Sequence, residues 1–185
     1  MFLLLSTLAC TGDPAAPPSK PPSRVETAPV AAKRAADPEA FCDSRGGQAF
    51  AWPELDAAPP ADPGGWKWVN VWATWCKPCL AEMAQIQDWA KKLNASGTAV
   101  TQQFMSVDNK AEDLSTFQKL HPGPASSRLH DVTLLTPWLE SQGLDAGASL
   151  PLHLFVDSTN TIRCVRMGSV GENDYDAIAA VLAGK

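Results

Sequence analysis

The spacing of apolar and polar positions changes period several times along the chain, and each change marks an element. Residues 66–72 (WKWVNVW) form a compact aromatic and β-branched run that predicts a central strand. Directly after TWCKPC the period becomes helical. Leu80, Met83, Ile86 or Gln87, Ala90 and Leu93 fall on one face until Asn94, Ser96 and Gly97 end the run. A second strand is predicted over 99–107, and a second helix over 111–120 is stopped by HPGP. A short helix is expected to start at Thr136 and Pro137. Residues 152–156 and 161–167 read as two paired strands around a turn at 157–160. The last helix carries Tyr175, Ile178, Ala179 and Leu182 on one stripe, the spacing of a face buried against a sheet. Residues 48–52 are a further short strand candidate closed off by Pro53, and 58–65 (APPADPGG) is a loop. The order strand, helix, strand, helix, strand, strand, helix predicts an α/β domain without internal repeats.

The N-terminal stretch breaks this pattern. Its apolar run, residues 2–5 extended by Leu8 and Ala9, falls far short of the roughly 20 residues that span a bilayer. MFLLLSTLAC reads instead as the back end of a secretion signal, residues 1–10. It resembles a bacterial lipoprotein cleavage site, which makes Cys10 the expected lipid-attachment residue, although Thr7 stands where such sites usually carry Leu. No Lys or Arg precedes the apolar run, so the signal is expected to be truncated at its start. The alternative is an apolar N-terminus with an incidental cysteine. Residues 11–40 are dominated by Pro and Ala, cannot offset their ordering entropy by burial, and are expected to be a disordered tether to a domain at 41–185.

Composition narrows the partners. Net charge is −5 and no block of basic residues occurs, so no nucleic acid is expected to bind. The residues after the tether make one ordinary domain, and a monomer is expected.

The candidate chemistry lies at Trp75-Cys76-Lys77-Pro78-Cys79, where the central strand meets its helix. A thiolate at a helix N-terminus is stabilised by unpaired N–H groups and the helix dipole, so Cys76 is read as the exposed attacking thiol. Cys79, one turn further in, is the shielded resolving thiol. Lys77 favours the Cys76 thiolate modestly. A static disulfide or half of a zinc site are the alternatives. Zinc needs four ligands, and Cys42, Cys164 and the three histidines offer no second pair at ligand spacing, so no metal is expected.

A strand, CxxC and helix in this order resemble the thioredoxin superfamily. Within it, VNVWATWCKPCLAEM followed by SLPLHLFVD is similar to the TlpA/ResA-type thiol-disulfide oxidoreductases, over about residues 45 to 184. The resemblance implies a thioredoxin-like fold, a central mixed β-sheet flanked by helices. It also implies an exported, periplasmic or cell-envelope location, here membrane-tethered through Cys10. Pro151, after Leu150, matches the family's cis-proline, which lies against the cysteine pair and frees the preceding backbone to pair with substrate. On residues alone a trans proline opening a strand is the ordinary reading. Glu82 matches an acidic residue near the active site and could take the Cys79 proton, or be a solvated first-turn glutamate stabilised by the helix dipole. Asn70 stands where thioredoxin has a buried aspartate and cannot titrate, which moves any proton role to Glu82 or water. Trp75 is expected to cover one side of the cysteine pair, while Trp72 reads as core.

Cys42 and Cys164 fit a second, structural disulfide, or two unrelated buried thiols. His121, His130 and His153 read as loop, surface and strand residues without catalytic roles. The expected reaction is thiol-disulfide exchange on disulfide-containing substrate proteins, with no cofactor. By resemblance the direction is reduction, for example of an apocytochrome awaiting haem, with a membrane-embedded thiol donor recharging the pair. A disulfide-forming oxidant and a tethered Cu(I)-binding thiol module remain alternatives.

Overall fold

The structure is a computed structural model that describes residues 37–184. Cys10, the signal segment and most of the assigned tether lie outside the described residues. In chain order the elements are α1 (Pro38–Phe41), β1 (Trp66–Trp72), α2 (Lys77–Ala95), β2 (Val100–Ser106) and α3 (Ala111–Leu120). They continue with β3 (Ser126–Arg128), α4 (Leu135–Ser141), β4 (Leu152–Val156), β5 (Ile162–Met167) and α5 (Tyr175–Leu182).

The five strands form one mixed sheet in the order β3-β2-β1-β4-β5. β1 pairs parallel to β2, and β2 parallel to β3, whereas β4 runs antiparallel to both β1 and β5. Flanked on both sides, β1 is buried from Lys67 to Trp72, which explains its near-continuous apolar run.

Alternation along β1 sends Trp68, Asn70 and Trp72 to one face and Lys67, Val69 and Val71 to the other. On the first face Asn70 meets Glu82 of α2, and Trp72 meets Phe117 of α3 edge to face with centroids 5.5 Å apart. Phe155, the β4 neighbour of Trp68, meets Phe41 of α1, and Trp89 of α2 meets Tyr175 of α5. On the second face the buried Lys67 ammonium reaches Asp62 Oδ2 at 3.0 Å and Asn160 Oδ1 at 2.6 Å. Gln103, the β2 neighbour of Val69, donates to Ala61 O, so the segment before β1 covers this face.

That segment also reaches both sheet edges. Ser44 and Ala49 bridge to Val165 and Thr161 beside β5, and Leu55 bridges to Leu129 after β3. Arg128 grips Asp56 with two hydrogen bonds, Nε to Oδ2 at 2.6 Å and Nη2 to Oδ1 at 2.9 Å. The Arg128 hydrogen bond holds the Asp56 carboxyl below its ordinary value. Cys42 is bonded to Cys164 of β5, their Cα atoms 5.4 Å apart.

Three local differences from the sequence reading have physical causes. The 48–52 run makes only the Ala49 bridge, because Phe50 and Trp52 pack on each other edge to face instead of joining the sheet. β3, Ser-Ser-Arg, carries no apolar pattern and is a strand only through its pairing with β2. Order also begins before residue 41. The Asp37 side chain accepts the Glu39 N–H and Pro38 occupies the first helical turn, which together cap α1.

The β4–β5 turn is fixed by Asp157, whose side chain is 13% exposed. Burial acts to raise its pKa, but hydrogen bonds from Thr159 Oγ1, Thr161 N, Arg163 and Thr159 N outweigh it and lower the value from 3.8 to about 2. A depressed carboxylate stabilises the fold fully above its unfolded pKa and loses that contribution as pH falls through the folded one. Asp157→Asn is therefore expected to lower stability near neutrality by about 2 kcal/mol. Urea unfolding at a series of pH values should show the gap closing as pH drops from 3.8 towards about 2. A gap that persisted in acid would assign the loss to packing instead.

Candidate active site

α2 begins at the end of a buried strand, and the connection is short enough to leave Cys76 as the helix N-cap. Its sulfur accepts the Cys79 backbone N–H at 3.3 Å, the position a capping oxygen takes in an ordinary helix. Cys76 and Cys79 are joined as a disulfide with Cα atoms 5.3 Å apart. The turn before them is held from below. Thr74 donates its backbone N–H to both Asp108 oxygens at 3.1 Å and its hydroxyl to Oδ1 at 2.7 Å, while Ser106 Oγ donates to Oδ2 at 2.6 Å. Asp108 is buried just beyond β2, so the neighbouring parallel strand fixes the loop that carries the cysteines.

Cys76 is not the exposed residue the sequence suggested. In the disulfide form it is only 4% exposed, because its sulfur is turned back over the helix start. What remains open is a groove lined by Trp75, Pro78, Val132, Leu135, Ala148 and Leu150, with Cys76 in its wall and Lys77 its one charged side chain. Trp75 is 67% exposed and borders this groove rather than being buried over the cysteine pair. The Leu150–Pro151 peptide bond is cis, and Pro151 is buried.

Glu82 lies one turn beyond Cys79 on the same helix face and is 3% exposed, which rules out the solvated first-turn reading. Its Oε2 accepts the Val170 N–H at 2.8 Å, and its Oε1 lies 3.4 Å from Asn70 Nδ2 and 3.2 Å from His153 Nε2. The buried face of α2 is thus Cys79, Glu82, Ile86, Ala90 and Leu93. Leu80 and Met83, assigned to the core by their spacing, instead sit half-buried at an apolar hollow with Trp72, Phe117, His121 and Pro122.

No family model matches the chain, and no curated protein matches its sequence. Solved structures do match. A putative thiol:disulfide interchange protein DsbE from Chlorobium tepidum aligns with a TM-score of 0.54 at 19% identity, covering 76% of this chain and 96% of its own. The thioredoxin domain of a thiol-disulfide oxidoreductase from Bacteroides vulgatus aligns at 0.51 and 18% identity, covering 64% and 80%. The domain has a thioredoxin fold. A secreted thiol-disulfide isomerase from Corynebacterium glutamicum shares it at 0.52 and 22% identity, covering 66% and 72%.

On the thioredoxin fold the expected residues separate into groups. Cys76, Trp75 and Leu150 meet at the groove, with the cis-bonded Pro151 next to Leu150 in sequence. Cys79 and Glu82 lie beneath it in the core. Cys42 and Cys164 form their own bond on the β5 side of the sheet. Trp72 is core, buried, with its indole N–H on Ser126 Oγ at 2.9 Å. His121 flanks Phe117, and His130 is exposed beside Asp56. His153, read as a strand residue without a catalytic role, is fully buried on β4 and faces both Asn70 and Glu82. Asp108 and His153 were the residues sequence reasoning missed. A histidine inside the five-residue buried strand LHLFV was a signal for the second. Asp108 had none, since an aspartate at a strand end ordinarily reads as a turn residue.

Proposed function

We propose that this chain is a thiol-disulfide oxidoreductase that acts on exported proteins, with electron flow towards the substrate. The observation that carries the reading is the Cys76–Cys79 disulfide at a helix N-terminus, its first sulfur capped by the Cys79 N–H and set in the wall of an apolar groove. In the reduced protein the same N–H and the helix dipole favour the Cys76 thiolate, which attacks a substrate disulfide. One substrate sulfur leaves as a thiolate and the other stays bonded to Cys76. Cys79 then gives its proton to Glu82, bonds to Cys76 and releases the second substrate sulfur. The dithiol supplies the two electrons, and no cofactor takes part.

The groove favours a substrate whose disulfide is flanked by apolar side chains, since six aliphatic or proline residues, Val107 among them, and Trp75 line it against one lysine. The Cys42–Cys164 bond supports work in an oxidising compartment, and Cys10 would hold the protein to a membrane there. A membrane-embedded thiol donor would restore the dithiol. Reduction of an apocytochrome before haem attachment is a role of this kind.

Cys79→Ser tests the order of events. This variant should form a stable mixed disulfide with insulin, visible by mass spectrometry without reductant and linked through Cys76. Linkage through Cys42 or Cys164, or no adduct with any disulfide substrate, would overturn the assignment. In cells making the chain with a complete signal region, the adduct should fractionate with membranes and carry a lipid mass on Cys10. A soluble, unmodified adduct would remove the tether from the proposal.

A further inference from the structure

Beneath the cysteine pair lies a buried polar group that the exchange steps above leave unused. His153 is fully buried on β4, directly opposite Asn70 of β1 in the strand pairing. Its two ring nitrogens have different neighbours. Nδ1 lies 3.1 Å from the indole nitrogen of Trp68 and 3.3 Å from Asn70 Nδ2. An indole N–H can only donate, so Nδ1 must be the acceptor. The ring proton of the neutral imidazole therefore sits on Nε2. Nε2 lies 3.2 Å from Glu82 Oε1, yet it has no well-aligned hydrogen-bond partner in the disulfide form.

Both parts of this arrangement bear on Glu82. A buried N–H left without an aligned acceptor costs free energy, and an apolar side chain would remove that cost. The acceptor 3.2 Å away is an oxygen of Glu82, the carboxylate that receives the Cys79 proton in the proposed reaction. Catalytic hydrogen bonds are often long or misaligned in the resting state and tighten during turnover. By occupying Nδ1, Trp68 also fixes which ring nitrogen carries the proton that faces Glu82.

The other charged groups near the ring are few. Glu82 approaches from α2, and Arg166 lies opposite on β5 with its guanidinium on Asp43 and over the Phe41 ring. β1 contributes only Trp68 and Asn70, neither of which titrates near neutrality.

We propose that His153 is a positioning residue for the exchange reaction: locked by Trp68 as the neutral Nε2–H tautomer, it supplies Glu82 with a permanent donor that orients the carboxylate for the Cys79 proton. This rests on the proposed oxidoreductase reading. No bond to His153 forms or breaks. The proton passes from Cys79 to Glu82, the Cys79 sulfur takes up the bond to Cys76, and the substrate sulfur leaves with the electron pair.

Two measurements test it, and the first needs no activity. Nitrogen NMR of histidine-labelled, oxidised wild-type protein should show the neutral His153 ring protonated on Nε2, with Nδ1 bare. An Nδ1–H tautomer would overturn the proposal. The second measurement separates the two chemical steps. His153→Leu should slow release of the mixed disulfide about tenfold, the scale of losing one hydrogen bond to a charged group, while adduct formation in the Cys79→Ser background is unchanged. His153→Gln keeps an N–H near the Nε2 position and should recover most of the release rate. Equal slowing of both steps, or an unchanged release rate in His153→Leu, would show a structural role only. If wild-type protein forms no mixed disulfide at all, the oxidoreductase reading itself falls, and the NMR result would tell that failure apart from a wrong tautomer.

Discussion

Cys76→Ser is expected to abolish disulfide reduction while leaving the start of α2 folded. The two halves of this result have separate causes. Serine is a preferred N-cap residue, so its hydroxyl replaces the sulfur as acceptor for the Cys79 N–H and the helix start is retained. A hydroxyl at neutral pH, however, is almost never ionised and is a far poorer nucleophile towards sulfur than a thiolate. Loss of a covalent nucleophile should lower the rate by more than about a thousandfold. Insulin reduction, followed by precipitation of its freed chain, measures the activity, and circular dichroism monitors the helix. Retained reduction in a folded variant would show that the groove-facing sulfur is not the nucleophile.

The second large effect concerns stability. The Cys42–Cys164 bond closes a loop spanning 122 residues, so removing it frees the denatured chain more than any short cross-link would. Replacing both cysteines by alanine should lower unfolding free energy by about 2–5 kcal/mol, a large share of what a domain of this size has. Alanine is the right choice at position 164, which is fully buried, because a serine hydroxyl there would add an unsatisfied polar group to the loss. Denaturant midpoints for the oxidised wild type and the double variant give the difference. The rate of adduct formation per folded molecule should not change, since the bond lies on β5, with β4 between it and β1, and lines no part of the groove beside Cys76. A midpoint unchanged by the double replacement would mean that the strap in front of β1 holds by its hydrogen bonds alone.

The parts of this fold that were legible in the sequence are those where one physical demand dominated. β1 is buried on both faces, so its bounds appear as an uninterrupted apolar run. The β4–β5 turn is legible because Asp157 and Asn160 each meet a turn-specific demand, Asn160 adopting a φ of 62° that few other residues tolerate. The cysteine pair was legible because its spacing places both sulfurs on one helical turn. What was hidden depends on tertiary partners. β3 has only polar and charged residues and exists by its bonds to β2. α2 buries a carboxylate where periodicity expected Leu80 or Met83, because Val170, Asn70 and His153 meet it there. No single-residue property announces such a convergence.

The segment running from Ser44 to Asp56 has a further consequence for an enzyme of the proposed kind. A protein that opens other proteins' disulfides works beside chains that are partly unfolded, and unfolded chains carry unpaired strands that add readily to a bare sheet margin. Here one continuous strap runs from β5 to the end of β3, touching each margin through isolated bridges, to Val165 and Thr161 on one side and Leu129 on the other. At those bridges fewer backbone groups stay open to an added strand, while the groove beside Cys76 is left uncovered.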